Sequence, residues 1–363
     1  MSIGGIQTYI TNLIPVLKRC GYDISIYQQA SKCFHKEFGD FDVYGVEMQN
    51  GHGPQTAKEL LDAALPHIDS MSDILLYGSD ICISRVVPCK TIAIQHGIFW
   101  DIPVTKKFSE LRYLKGYIGK CLTAWKTIRR VSKVDKLVCV DSNFVNWHRA
   151  ITPYPKVKHI CIPNFTAIPP TRPSKQHEGI NIIFARRFFK YRGTRLFTNV
   201  IERVLNEHSD VNVTIAGTGP DAEYIHKKLD PFKNVQFITF DSRESLSIHE
   251  DKDIAVVPTV GSEGTSLSLL EAMASGCAVV CTNVGGMTNI VLNRYNGLMI
   301  SPDEEELYEA LASLIKDTAL REKLQANAYI CTKEAFSLQQ WQDSWERVIR
   351  QTTNQRTRQA DEQ

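Results

Sequence analysis

The residues best suited to chemistry lie between Val257 and Gly276, in the stretch VPTVGSEGTSLSLLEAMASG. An apolar run from Ile254 to Val257 reads as a buried strand, followed by a glycine-bearing loop and a short helix. Thr265 or Ser266 suits the N-cap, because a hydroxyl accepts from the first free backbone N–H groups. Gly276 suits the left-handed residue that ends a helix. Strand, glycine loop and helix N-terminus together make an anion site: unpaired N–H groups and the positive end of the dipole face the ligand, and Gly264 lets it approach. Two carboxylates bracket that site, Glu263 in the loop and Glu271 inside the helix. An acid beside an anion repels it, so Glu263 is expected to face something else, such as a sugar hydroxyl. Glu271 shares a helix face with Leu267 and Ser268, from which it could reach a ribose. The competing reading makes Glu263 a solvated loop acid and Glu271 a surface helix acid, and the spacing alone favours it; the flanking sequence reverses that.

Other polar residues follow buried runs in the same way. His96 and Asp101 come just after TIAIQ, at the carboxyl end of a strand, where open α/β sheets bind ligands. A loop histidine with a local hydrogen bond is the alternative. INIIFA runs into Arg186 and Arg187 and, past an aromatic loop, into Arg192 and Gly193. Guanidinium forks at a strand end can grip a diphosphate; solvated loop cations are the plainer reading. NVTIA leads to Gly217, Thr218, Gly219 and Pro220, a tight turn that does not complete the dinucleotide fingerprint. Gly4 and Gly5 precede an amphipathic helix carrying Ile10, Leu13, Ile14 and Leu17. Residues 105–133 are locally basic, with Glu110 the single acid and Phe108, Tyr113, Tyr117 and Trp125 interleaved. Such a segment suits a membrane interface bearing anionic lipid, or equally a solvated helical face whose aromatics close the lobe. No nucleic-acid motif accompanies the charge, so nucleic acid is not expected as a partner.

The elements that must position these residues alternate. Strand-like runs DISIYQ, FDVYGV, DILLYGS, TIAIQH and KLVCVDS, with helical or irregular connections, argue an α/β layer with a mostly parallel sheet. Residues 163–178 hold four prolines and read as a linker. A second α/β layer follows, then a helix with Trp341, Trp345 and Val348 on one stripe. The chain has 363 residues, which suggests two domains, and 43% hydrophobic content supports two cores. The net charge of +2 gives no whole-chain case for nucleic acid. Ten cysteines without a C-x-x-C pair, and no signal peptide, suggest a reducing, cytoplasmic setting. No apolar run approaches the roughly 18 residues of a membrane span.

With GT after the first glutamate and EAMASG around the second, Glu263 and Glu271 resemble the E-x7-E motif of family 4 retaining glycosyltransferases. QHG at His96, IPN at Ile162, the RG of Arg192–Gly193, the Gly217–Gly219 turn and VVCTNVGG resemble further segments of that family. The resemblance implies the GT-B fold: two facing Rossmann-like lobes with parallel sheets and a cleft between them. Residues 1–165 would form the acceptor-binding lobe and 166–336 the nucleotide-sugar lobe. Residues 337–352 would be a helix crossing back to the first lobe, and 353–363 a polar, disordered tail. The implied reaction is retaining transfer of a hexose, without cofactor or metal, from a UDP- or GDP-sugar to a glycan or lipid-linked saccharide. Bacterial surface-polysaccharide assembly on the inner face of the cytoplasmic membrane is the implied context. Alignment on Gly193 places Arg187 at the family's arginine and Arg192 at its lysine, with Arg186 in a glycine slot, so that Arg186 and Arg187 can exchange roles. The resemblance implies that Arg187, Arg192, Gly217, Gly219, Gly264, Thr265, Ser266 and Glu271 bind the donor. It makes His96, Glu263 and, as a base or orienting group, Asp101 catalytic. Gly4 and Gly5 would form a loop near phosphate and acceptor. The family's strand before those glycines is missing here, so the true start is expected upstream of Met1. A sugar-nucleotide epimerase of the same architecture and a catalytically silent binding module are the alternatives.

Overall fold

Continuous runs of β-branched and small apolar residues become the central strands of parallel sheets, buried on both faces. The computed structural model describes residues 5–48, 54–102, 110–152, 157–175 and 177–360, and the chain divides into two units. The N-terminal unit contains residues 5–96, 110–162 and 341 onward; the C-terminal unit contains 163–340 together with 97–102.

In the N-terminal unit, α1 (Gly5–Arg19) turns Tyr9, Leu13, Ile14 and Val16 inward. It is followed by β1 (Ser25–Ala30), β2 (Phe34–Glu37), β3 (Asp42–Glu47), α2 (Pro54–Ala64), β4 (Ile74–Tyr77), β5 (Lys90–Gln95) and α3 (Glu110–Val131). Then come β6 (Lys136–Cys139), α4 (Ser142–Ile151) and β7 (Lys158–Cys161). The strands form two sheets, β1-β3-β2 and β4-β5-β6-β7. All pairs are parallel except β2 with β3. Among the described residues β1 and β4 each pair on one side only. Asp141 caps α4, accepting from the amides of Asn143 and Phe144.

The C-terminal unit runs through β8 (Ile180–Ala185), α5 (Thr194–Glu207), β9 (Val211–Ala216), α6 (Ala222–Leu229), β10 (Val235–Ile238), β11 (Ile254–Val257) and α7 (Leu267–Ala274). It continues with β12 (Ala278–Thr282), β13 (Leu298–Ile300), α8 (Glu304–Lys316), α9 (Thr318–Ala335) and α10 (Leu338–Ala360). Its six strands lie in the order β10-β9-β8-β11-β12-β13, all parallel. The strand period of two divides their side chains between two cores. Ile182, Phe184, Val256 and Val280 pack with α5 and α8 on one face, and Ile183, Ala185, Val257 and Cys281 pack with α7 on the other. Between β8 and β11 the order of strand addition reverses, and at such a switch point an open parallel sheet leaves a crevice beyond its carboxyl ends.

From Trp341 onward α10 belongs to the N-terminal unit, where Trp345 is buried and its indole Nε1 donates to the Tyr9 hydroxyl at 2.8 Å. The helix expected over 337–352 runs further, from Leu338 to Ala360. It is supported by an Arg350–Glu346 pair one turn apart, and residues 361–363 lie outside the described residues.

Candidate active site

Strand β8 ends at the switch point and delivers Arg186 there; the turn after it delivers Arg192. Both meet Glu263, from the loop between β11 and α7. Arg186 Nη2 lies 2.5 Å from Glu263 Oε2, and Arg192 Nη1 donates to the same oxygen. Thr259, at the end of β11, completes the cluster: its hydroxyl accepts from Arg186 at 2.5 Å and donates to Glu263 Oε2 at 3.0 Å. Glu263 is therefore not a solvated loop acid. Burial pushes its carboxyl up, but the charges of Arg186 and Arg192 and their hydrogen bonds outweigh this and bring it down to about 2. Two guanidinium groups share one carboxylate, so the cluster carries one uncompensated positive charge.

The two arginines between which the sequence could not choose are separated here. Arg186 is buried in the cluster, whereas Arg187 is exposed and lies over the Phe189 ring at 5.8 Å. Gly217 and Gly219 hold the arginine loop from behind. Both have positive φ, and a Cβ on Gly217 would overlap the Arg186 carbonyl oxygen, while one on Gly219 would press on the Phe188 backbone. The Phe188 amide donates to the Thr218 carbonyl at 2.8 Å. The glycine turn thus positions Arg186.

Beside the cluster, α7 begins with Ser266 as N-cap, without a capping bond from its hydroxyl; Ser266 Oγ lies 3.3 Å from Ser268 Oγ. Thr265 precedes it, and its carbonyl accepts from the Asn164 amide at 2.6 Å. Ser262, at φ 57°, bends the chain just before Glu263. Glycine backbones close around the loop: a Cβ on Gly97 would stand 2.9 Å from the Gly264 Cα, and one on Gly286 would overlap the Gly264 carbonyl. The Gly286 amide donates to the Glu263 carbonyl at 3.0 Å.

Glu271 sits further along α7 in a different setting. Burial raises its carboxyl to about 7, opposed only by a hydrogen bond with Ser245. It is a desolvated acid rather than a surface one.

Asp101 reaches this region through its main chain: its carbonyl accepts from the Ser262 amide at 2.5 Å, while the residue itself is exposed. His96, the preceding unit's last residue before Gly97, has Nε2 2.9 Å from the Gly78 carbonyl oxygen and an edge-on contact with Tyr9. Burial lowers its pKa against the pull of the Gly78 carbonyl and Asp80. Gly5, expected in a loop, is the first residue of α1; Gly4 lies outside the described residues. Thr259, Ser245 and Asn164 were not singled out from sequence. Thr259 alone had a signal, following a buried strand within the stretch already recognised as chemical.

Two D-x-D triplets could suggest a metal. Asp253 of the second accepts from the Asn181 amide at 2.8 Å and neighbours His177, so it is engaged in holding β8. Asp42 of the first belongs to His35, Glu37 and Asp42 on the β2–β3 pair, whose ligand atoms lie within 4.8 Å of one another and are largely exposed. Among the described residues this is the group that could hold an ion.

Comparison with known proteins bears on this geometry. Residues 170–330 match the family model for glycosyl transferases group 1. The chain is 26% identical over 178 residues to the uncharacterized glycosyltransferase MJ1607 of Methanocaldococcus jannaschii, covering 48% of this chain and 43% of that protein. The chain thus spans about half the length of that curated relative, and 46% of a second, MJ1069. Sucrose-phosphate synthase from Thermosynechococcus elongatus superimposes with a TM-score of 0.76 at 14% identity, over 97% of this chain and 94% of that one. HepE from Anabaena, solved in complex with UDP, does so with a TM-score of 0.67 at 13% identity, over 96% of each chain. The fold is that of the GT-B glycosyltransferases, and residues 170–330, which contain Arg186, Arg192, Glu263 and Glu271, match the group 1 glycosyltransferase family.

Proposed function

We propose that the chain is a family 4 retaining glycosyltransferase, moving a hexose from a UDP- or GDP-sugar to a glycan or lipid-linked saccharide in bacterial surface-polysaccharide assembly. The observation that carries this reading is the convergence of Arg186 and Arg192 on Glu263 beside the start of α7, at the switch point of a parallel sheet. A leaving nucleoside diphosphate gains negative charge as the glycosidic bond breaks. Fixed cations and backbone amides stabilise that charge without reorganising, in the manner of an oxyanion hole. In this reading Arg186 and Arg192, with amides from Gly264 to Ser266, take the diphosphate, and capture needs no metal. Glu263 keeps both forks aligned through Oε2 and offers Oε1 to the donor sugar's hydroxyls. Glu271, half protonated near neutral pH, takes the ribose. His96 and Asp101 are assigned to the reacting centre and the acceptor. Residues 1–165 are assigned to the acceptor and 166–336 to the donor.

The test is incubation with a panel of UDP- and GDP-sugars, with and without saccharide acceptors, following product by mass and its configuration by proton NMR. A glycosylated acceptor with the donor's anomeric configuration is expected. An isomerised free nucleotide sugar, donor binding without turnover, or an inverted product would contradict the proposal.

A further inference from the structure

Among the described residues, the contacts that hold the basic helix α3 lie on one side of it. On its inner side Thr127 and Val131 are buried, and Arg130 donates to the buried Asp80 at 2.7 Å. Just beyond its end, Lys133 Nζ donates to the Ser84 carbonyl at 2.6 Å. These contacts fix the rotation of the helix about its axis. The opposite side carries Leu114, Ile118, Leu122 and Trp125, at 54%, 47%, 51% and 52% exposure. At about 100° per residue these four share a single stripe. Tyr117, 58% exposed, borders it on one side; Lys115 and Lys126, both exposed, border it on the other. Arg129 is also exposed and lies over the Trp125 ring at 4.7 Å. From Leu114 to Val131 there is no acid. Of the interleaved aromatics, Tyr117 and Trp125 are exposed and do not close the lobe.

Exposed apolar residues scattered singly on a surface are ordinary, but a continuous stripe edged by uncompensated bases needs a covering of matching chemistry. We propose that this face of α3 lies on a lipid bilayer bearing anionic headgroups. The stripe is convex and runs along the helix instead of converging on a pocket, which suits a plane of acyl chains. Trp125 and Tyr117 are amphipathic rings of the kind that sit at the headgroup boundary. Lys115 and Lys126 can lay their methylenes along the stripe and extend their ammonium groups to phosphates. The chain's overall charge of only +2 makes the attraction local to this face. This inference goes beyond the proposed transfer reaction and does not depend on it.

Cosedimentation of the full chain with vesicles tests it, comparing pure phosphatidylcholine with equal parts phosphatidylcholine and phosphatidylglycerol. Binding is expected to the mixed vesicles and to weaken with salt. Each base near an anionic surface contributes roughly fivefold to partitioning. A Lys115→Glu, Lys126→Glu, Arg129→Glu variant should therefore bind on the order of 100-fold less. Ile118→Glu with Leu122→Glu should lose binding outright. These positions are exposed, and unchanged circular dichroism and unchanged binding of UDP or GDP in the variants establish that the fold is intact. No binding to the mixed vesicles, or binding that survives both sets of substitutions, overturns the proposal. So does a concentration-dependent dimer in sedimentation equilibrium that Leu122→Glu abolishes, since a second copy would then cover the stripe. Vesicle binding by a protein that binds neither UDP nor GDP would sustain this inference and remove the transfer reading.

Discussion

Glu263 and Glu271 belong to one loop-and-helix segment, and both are shielded from solvent, yet their surroundings push them in opposite directions. Glu263 has two guanidinium groups and a hydroxyl on one oxygen and is held at about 2; Glu271 has burial and Ser245 and rises to about 7. Identical side chains are thereby given different work. One is a permanent anion whose main partners are cations. The other is a neutral or charged hydrogen-bonding group within physiological pH. What separates them is the carboxyl end of β8, which brings cations to the first glutamate and not to the second.

The strongest way to break this contrast is to neutralise each acid in turn. Glu263→Gln leaves Arg186 buried without its counter-charge, and removing one partner of a buried pair costs about 3–5 kcal/mol. Transfer should also fall by on the order of 10²–10³ as the arginine forks lose their alignment. Glu271→Gln should leave the melting temperature nearly unchanged and raise the KM for the donor with a smaller effect on kcat. Equal losses of stability in the two variants, measured by thermal melts, would erase the distinction.

A middle-sized effect separates the arginines. Arg192→Ala should lower transfer about 100-fold, the scale for loss of one charge-stabilising donor. The exposed Arg187→Ala should change stability by no more than about 0.5 kcal/mol and transfer correspondingly little. The reverse order in kcat/KM would place Arg187 in the work assigned to Arg186 and its partner.

The smallest effect is in the pH dependence of stability. Glu263, held below the ordinary 4.5, contributes stability that is complete above about 4.5 and lost as pH falls toward 2. Glu271 has the opposite sign: its native state binds the extra proton, so its contribution is complete below about 4.5 and declines as pH rises through 7. Melting curves from pH 5 to 8 should therefore fall less steeply for Glu271→Gln than for the unsubstituted chain. Parallel curves would show that Glu271 is not raised.

Much of this was legible before the structure because it is written in apolar runs. Strands β8, β11 and β12 are buried on both faces, so their hydrophobic stretches have clear ends, and the residues just past those ends are where an open sheet places a site. The choice between Arg186 and Arg187 was not legible, since consecutive residues at a strand end point opposite ways. Only the register shows that Arg186 follows Ile182 and Phe184 in parity. Ser245 could not be anticipated because it meets Glu271 through tertiary packing, with no local pattern between them. Strand β2 was missed because FHKE lies at a sheet edge, mostly exposed, and shows no alternation. The end of α10 was not legible, because the residues after Thr352 are polar and carry no apolar stripe that would mark a helix.

The central claim is that Arg186, Arg192 and the amides opening α7 capture a nucleoside diphosphate without a divalent ion. Isothermal titration of UDP and GDP into the full chain in EDTA tests it most directly, comparing the unsubstituted protein with Arg192→Ala. The account predicts saturable binding of one of the two nucleotides in EDTA, weakened at least roughly tenfold by the substitution, as loss of a charge-assisted hydrogen bond requires. Binding that appears only on adding magnesium or manganese, or that is as tight in Arg192→Ala, would contradict it.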